Sequence, residues 1–152
     1  MKNLYKQKRE QGFTIIEVMI VLAIAAVILL IVLLAVPALQ RSNRNTQRDN
    51  DAAQIAAAIN ACLANQNGNP ANCNAVGTTK VDIDNTKLGQ LNNPAPVQSA
   101  GAPAGGVNFA QWNFGYRCVN NAPSNANASL RSFVVMYSVE TTGAASPKCV
   151  ES

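Results

Sequence analysis

Glu17 is the only charged side chain between Phe13 and Leu39. A carboxylate at the edge of a membrane-length apolar run is costly to desolvate. It needs a cation or a route to the headgroup region. A second chemical set is the four cysteines, Cys62, Cys73, Cys118 and Cys149, all downstream of that run. An even count in an exported domain reads as two disulfides, and the alternatives are buried free thiols or a zinc site. The spacings of 11, 45 and 31 residues contain no CxxC and the chain has no His, which disfavours zinc. Three pairings are possible. Short loops close at the least entropic cost, which favours Cys62–Cys73 with Cys118–Cys149.

Other chemistry finds little foothold. There is no nucleophile with a recognisable base, no phosphate-binding glycine loop and no complete metal set, so the expectation is a non-enzyme without cofactor or metal. Asp82, Asp84 and Asn85 resemble part of a calcium loop but lack the remaining ligands, and surface carboxylates on a strand are the simpler reading. Asn127-Ala128-Ser129 is a glycosylation sequon of a kind that also arises by chance in an Asn-rich chain. Trp112 and Tyr116 could form a binding platform, against which stands ordinary core packing.

Net charge is +4, but residues 1–12 carry four basic side chains against Glu10. The remaining chain has eight basic and seven acidic residues, so its basicity is no footprint for nucleic acid. Arg41, Arg44 and Arg48 could meet phosphates. A solvated cluster flanking a membrane exit is the plainer expectation.

The elements that must position these groups follow from the pattern. Val18–Leu39 is 22 apolar residues broken only by Pro37, and about 20 suffice to cross a bilayer as a helix. The run is longer than the apolar core of an ordinary secretory signal. From Gln40 the chain turns polar. Ala52, Ile55, Ala56, Ile59, Cys62 and Leu63 then recur at helical spacing as one apolar stripe. Asn65-Gln66-Asn67-Gly68-Asn69-Pro70 stops the helix. A helix from Phe13 to about Asn65 would be roughly 80 Å long.

Beyond it, residues 66–79 read as loop and Lys80–Asp84 as a short strand. Asn92–Gly106 reads as a long Pro/Gly-rich loop. Val107–Val119 alternates as a half-buried strand, Asn120–Ser129 as a turn region and Leu130–Glu140 as the clearest strand. The expected fold is α+β: one long helix, hydrophobic then amphipathic, packed on a small antiparallel sheet. The expected organisation is residues 1–12, 13–39, 40–65 and 66–152.

The residues Gln11-Gly12-Phe13-Thr14-Ile15-Ile16-Glu17, preceded by basic residues and followed by the apolar run, resemble the class III signal of type IV pilins and pseudopilins. The resemblance covers roughly the first third of the chain. It implies removal of residues 1–12 by a prepilin peptidase that cleaves after Gly12, with methylation of the new amine on Phe13. It implies that Glu17 pairs with the Phe13 amine of a neighbouring subunit and sets its axial register. It further implies that a Cys118–Cys149 bridge bounds an exposed loop. The implied partners are copies of the same chain in a filament, the peptidase and an inner-membrane assembly machinery. The implied location is the cytoplasmic membrane, with the C-terminal part outside, and then an extracellular pilus. A type II secretion pseudopilin, a minor or DNA-uptake pilin and a single-span anchored binding protein are the rivals.

Overall fold

A computed structural model of the chain describes residues 12–73, 81 and 83–152. The described elements are α1 (Ile15–Asn65), β1 (Val97–Gln98), β2 (Gln111–Phe114), β3 (Arg117–Val119), β4 (Ala122–Ser124), β5 (Phe133–Glu140) and β6 (Ala145–Glu151). Together they form an α+β arrangement consistent with the type IV pilin fold. The chain divides into two units, Met1–Leu39 and Gln40–Ser152.

In the first unit the described residues from Ile15 are helical, including Pro37, and their side chains are exposed. Phe13 is 87% exposed, and the large apolar side chains from Ile15 to Leu34 are exposed at 46% to 82%. The mean hydropathy of its most apolar window reaches 3.5. This is a helix that water would not leave bare.

The second unit has its own core. The stripe anticipated on the helix is buried: Ala52, Ile55 and Ile59 at 0% exposure, with Ala56, Cys62 and Leu63 beside them. It packs in one cluster with Trp112, Phe133, Val135, Tyr137 and Val139. Alternate residues of β5 therefore face the helix, as strand geometry requires. Val134, Met136 and Ser138 face the other way and are buried too, so β5 reads as a continuous apolar run. The backbone at Gly105 and Gly106 lies close against β5 there, and Ser138 donates its N–H to Gly106 O at 3.1 Å. Gly105 has φ +62°, and a Cβ at that position would collide with the Met136 carbonyl.

The helix ends in a left-handed cap. Asn67 has φ +53°, and the Gly68 N–H bonds the Leu63 carbonyl at 2.7 Å, the Schellman pattern with Asn in the left-handed position.

The main sheet has the order β1-β2-β5-β6, with β3 and β4 as a separate two-stranded hairpin. β2–β5 and β5–β6 are antiparallel, whereas β1–β2 is parallel, so the sheet is mixed rather than purely antiparallel. Three sequence expectations change. The strand expected over 107–119 breaks at Gly115, whose φ of +74° a β-strand does not accommodate. The turn region 120–129 contains half of the β3–β4 hairpin, reversed through Asn120 and Asn121 at φ +51° and +59°. Of Lys80–Asp84, Val81 makes only an isolated bridge, and the chain goes on to a 3-10 turn at Asn85–Lys87; Lys80 and Asp82 lie outside the described residues.

Candidate functional site

At the N-terminal end, Gly12, Phe13 and Thr14 are exposed and not helical, and nothing stands within 4 Å of a Cβ built on Gly12. The Gly12–Phe13 bond thus lies in exposed chain outside the helix, where a peptidase can reach it. Helix begins at Ile15, and Thr14 is its cap. Thr14 donates its N–H and its hydroxyl to Glu17 Oε2, at 3.0 and 2.9 Å. The Glu17 N–H returns a bond to Thr14 Oγ1 at 3.3 Å.

This reciprocal pair is a capping box, which satisfies two amides that a helix start leaves orphaned. Its Thr-x-x-Glu spacing is present in the sequence, so the cap was readable there. Neither a headgroup-facing nor an amine-paired Glu17 requires this cap. The cap uses Oε2 alone. Among the described residues no donor reaches Oε1, and an ionised carboxylate has lone pairs to spare. A hollow of about 380 Å³ beside Glu17 is lined by Phe13, Val18, Val21 and Leu22. A fixed carboxylate therefore borders an apolar, uncovered helix face.

In the second unit the charges are arranged differently from expectation. Arg44 and Arg48 are neither a solvated cluster nor free for phosphates. Both bond Glu140 at the end of β5, at 2.5 and 2.6 Å, and Arg48 is 1% exposed. Hydrogen bonds from Arg44, then Arg48, hold the Glu140 carboxyl down to about 2. Between those arginines Asn45 pairs with the Glu140 backbone in both directions, at 2.8 and 2.9 Å, as a neighbouring strand would.

One turn on, Asp49 accepts from the Tyr137 hydroxyl at 2.7 Å and from Lys148 at 2.9 Å. Burial pushes the Asp49 carboxyl up, but these bonds and the Lys148 charge outweigh it and leave it lowered. Burial, then the bond to Asp49, pushes the Tyr137 hydroxyl well above its usual range. Asp51 is 3% exposed and accepts the backbone N–H groups of Gly89, Gln90 and Leu91 at 3.1, 2.6 and 3.0 Å. Helix positions 44 to 51 thus clamp β5, β6 and the 89–91 loop.

Cys62 is bonded to Cys73 and Cys118 to Cys149, with Cα separations of 6.0 and 5.7 Å. The first bridge ties the helix end to the following turn, and the second ties β3 to β6. Asp84 spends its carboxylate on Thr86 and Lys87. No group of three or more metal-ligating side chains occurs among the described residues. Trp112 is fully buried core, which removes it as a surface platform, and Tyr116 is half-buried. Asn127 is exposed, with φ +57°.

The exposed Gly12–Phe13 bond, the capped helix start and the bare helix, long and apolar enough to cross a membrane, fit a membrane-anchored chain. The prokaryotic N-terminal methylation motif matches residues 7–33, the class III signal of type IV pilins. The chain therefore carries the mark of a prepilin-type substrate, shared by type IV pilins and pseudopilins. No curated protein and no solved structure matches it.

Proposed function

We propose that this protein is a non-enzymatic structural subunit of an extracellular type IV pilus. Prepilin peptidase cleaves it after Gly12, and it polymerises through the N-terminal half of α1. The observation that carries the proposal is the uncovered apolar helix that begins inside the methylation motif of residues 7–33 and continues past it. Such a helix has two dry environments, a bilayer and a bundle of its own copies. Lipid tails are as apolar as Leu, so moving from one to the other gains little from hydrophobic burial, and packing and polar contacts must decide the register.

Glu17 supplies the polar contact. Its Oε2 is committed to the cap, and its Oε1 accepts the new Phe13 amine of an adjoining subunit. An ionised carboxylate in an apolar bundle is costly alone and tolerable when paired. Before assembly the chain is a single-pass protein of the cytoplasmic membrane with its disulfide-bonded unit outside, where oxidation is possible. Two disulfides in a small unit favour a fibre exposed outside the cell over a short periplasmic pseudopilus.

Immunogold electron microscopy of the native host, with antibody to the C-terminal unit, separates the choices. Labelled fibres extending from the cell surface are expected. Label confined to the envelope, with the chain still cleaved, would assign a pseudopilin instead. Label confined to the envelope with residues 1–12 retained would favour an anchored binding protein.

A further inference from the structure

We infer that a hollow on the C-terminal unit binds an acidic saccharide unit, a hydroxyl-rich ring bearing one carboxylate. The hollow measures about 360 Å³ and is lined by Arg117, Arg131, Asn127, Ser132 and Glu151 among others. Four of the seven basic side chains described in this unit are spent internally: Arg44 and Arg48 on Glu140, Lys87 on Asp84 and Lys148 on Asp49. Among the described residues, Arg117 and Arg131 pair with no carboxylate. Both are exposed and border one concavity. A guanidinium presents a planar donor fork that a carboxylate accepts bidentately.

Two features prepare the site. Arg131 lies against the turn that ends α1, where a Cβ on Gly68 would come within 3.0 Å of its guanidinium carbon. The bare glycine makes room for that side chain, and the carboxyl end of the helix favours a cation. Arg117 adjoins Cys118, and Glu151 lies two residues beyond Cys149, so the Cys118–Cys149 bridge fixes the two sides of the hollow to each other. A site fixed beforehand has less ordering cost to meet on binding.

The remaining lining argues for more than a simple anion. Glu151 Oε2 accepts the Cys118 N–H at 2.7 Å, which orients the carboxylate and leaves Oε1 as an acceptor. The Ser132 hydroxyl donates to the Ser129 carbonyl at 2.7 Å and so retains its lone pairs. The Asn127 amide makes no hydrogen bond among the described residues and offers both donor and acceptor. A matching ligand presents one negative group to the arginines and hydroxyl donors to Glu151 and Ser132. A nucleic-acid backbone carries a phosphate at every nucleotide and would meet Glu151 as a repulsion. A sugar acid satisfies both halves of the lining. The assignment concerns the C-terminal unit alone and does not depend on the kind of filament the chain builds.

The test is titration of the full chain in detergent micelles with sodium glucuronate, glucose and inorganic phosphate, followed through the arginine Nε–H signals by NMR. Glucuronate is expected to give saturable shifts at Arg117 and Arg131 and none at Arg41. Glucose, and glucuronate on Arg117→Gln or Arg131→Gln, are expected to bind about tenfold more weakly or worse, as loss of a charge-assisted bond requires. Glu151→Gln should weaken glucuronate and strengthen phosphate, a crossover that misfolding does not produce. If a glutamine variant fails to fold, Arg117→Lys, which keeps the charge and loses the fork, is compared instead. Absence of saturable shifts would overturn the site. Phosphate binding as tightly as glucuronate would reduce it to a simple anion hollow and overturn the saccharide assignment.

Discussion

Thr14 and Glu17 hydrogen-bond each other in both directions, and the bonds from Thr14 fall on one oxygen of the Glu17 carboxylate. The same residue can therefore start the helix and offer its second oxygen outward. Two substitutions separate these roles. Thr14→Ala removes the cap and keeps the charge, at a cost of about 1 kcal/mol in helix stability. Glu17→Gln keeps a side chain that can close the capping box and removes the charge. The yield of sheared filaments should fall little for the first and collapse for the second. Equal loss in both would make the cap, rather than the charge, the determinant of assembly.

Acid should loosen the C-terminal unit through Glu140. Its folded pKa of about 2 lies below the ordinary 4.5, because Arg44 and Arg48 bond the charged form. A depressed carboxylate stabilises the fold fully above the unfolded value and loses that contribution as protons bind. Thermal melts of the full chain in detergent should fall between about pH 4.5 and 2. Asp49, also lowered, pushes the same way. Glu140→Gln should flatten this slope. It should also cost about 3 kcal/mol at neutral pH, because it leaves the buried Arg48 without its counter-charge.

At the alkaline end the sensitive group is Tyr137. Its hydroxyl is buried and donates to Asp49, so its folded pKa is raised. The associated stability is present below the ordinary tyrosine range and is lost as pH rises through the folded value. Tyrosinate absorbance should show one residue ionising above the ordinary tyrosine range, and Tyr137→Phe should remove that late step. The lost hydrogen bond should cost about 1 kcal/mol in denaturant titrations.

The two disulfides close loops of 11 and 31 residues. Chain entropy alone assigns them about 2.8 and about 3.7 kcal/mol. Urea midpoints of the paired Cys→Ala variants should therefore fall further for Cys118/Cys149 than for Cys62/Cys73. The reverse order would show that the bridge at the helix end restrains more than its own loop.

What the sequence disclosed was what depends on local periodicity. The stripe from Ala52 to Leu63 and the β-branched run of β5 carry their burial in their own spacing, and both are buried. The capping box was also spelled out, in Thr14-Ile15-Ile16-Glu17. What the sequence hid depends on partners far along the chain. Ala145–Glu151 contains Pro147 and little β propensity, yet it pairs with β5 along its whole length as an edge strand, where a proline is tolerated. Val97–Gln98 gains its strand character only from β2. Arg44 and Arg48 look like surface charges until the fold brings Glu140, more than 90 residues away, beside them. Asp51 likewise meets its three amides only after the 89–91 loop returns to the helix.

The proposed chain is processed at Gly12 and polymerises through the helix that follows. The most direct measurement is the intact mass and N-terminal sequence of the protein in filaments sheared from its native host. The expected result is a chain that begins at Phe13, with a methylated amine and both disulfides intact, in polymeric material. A chain that still begins at Met1 and is found only in the membrane fraction would contradict it.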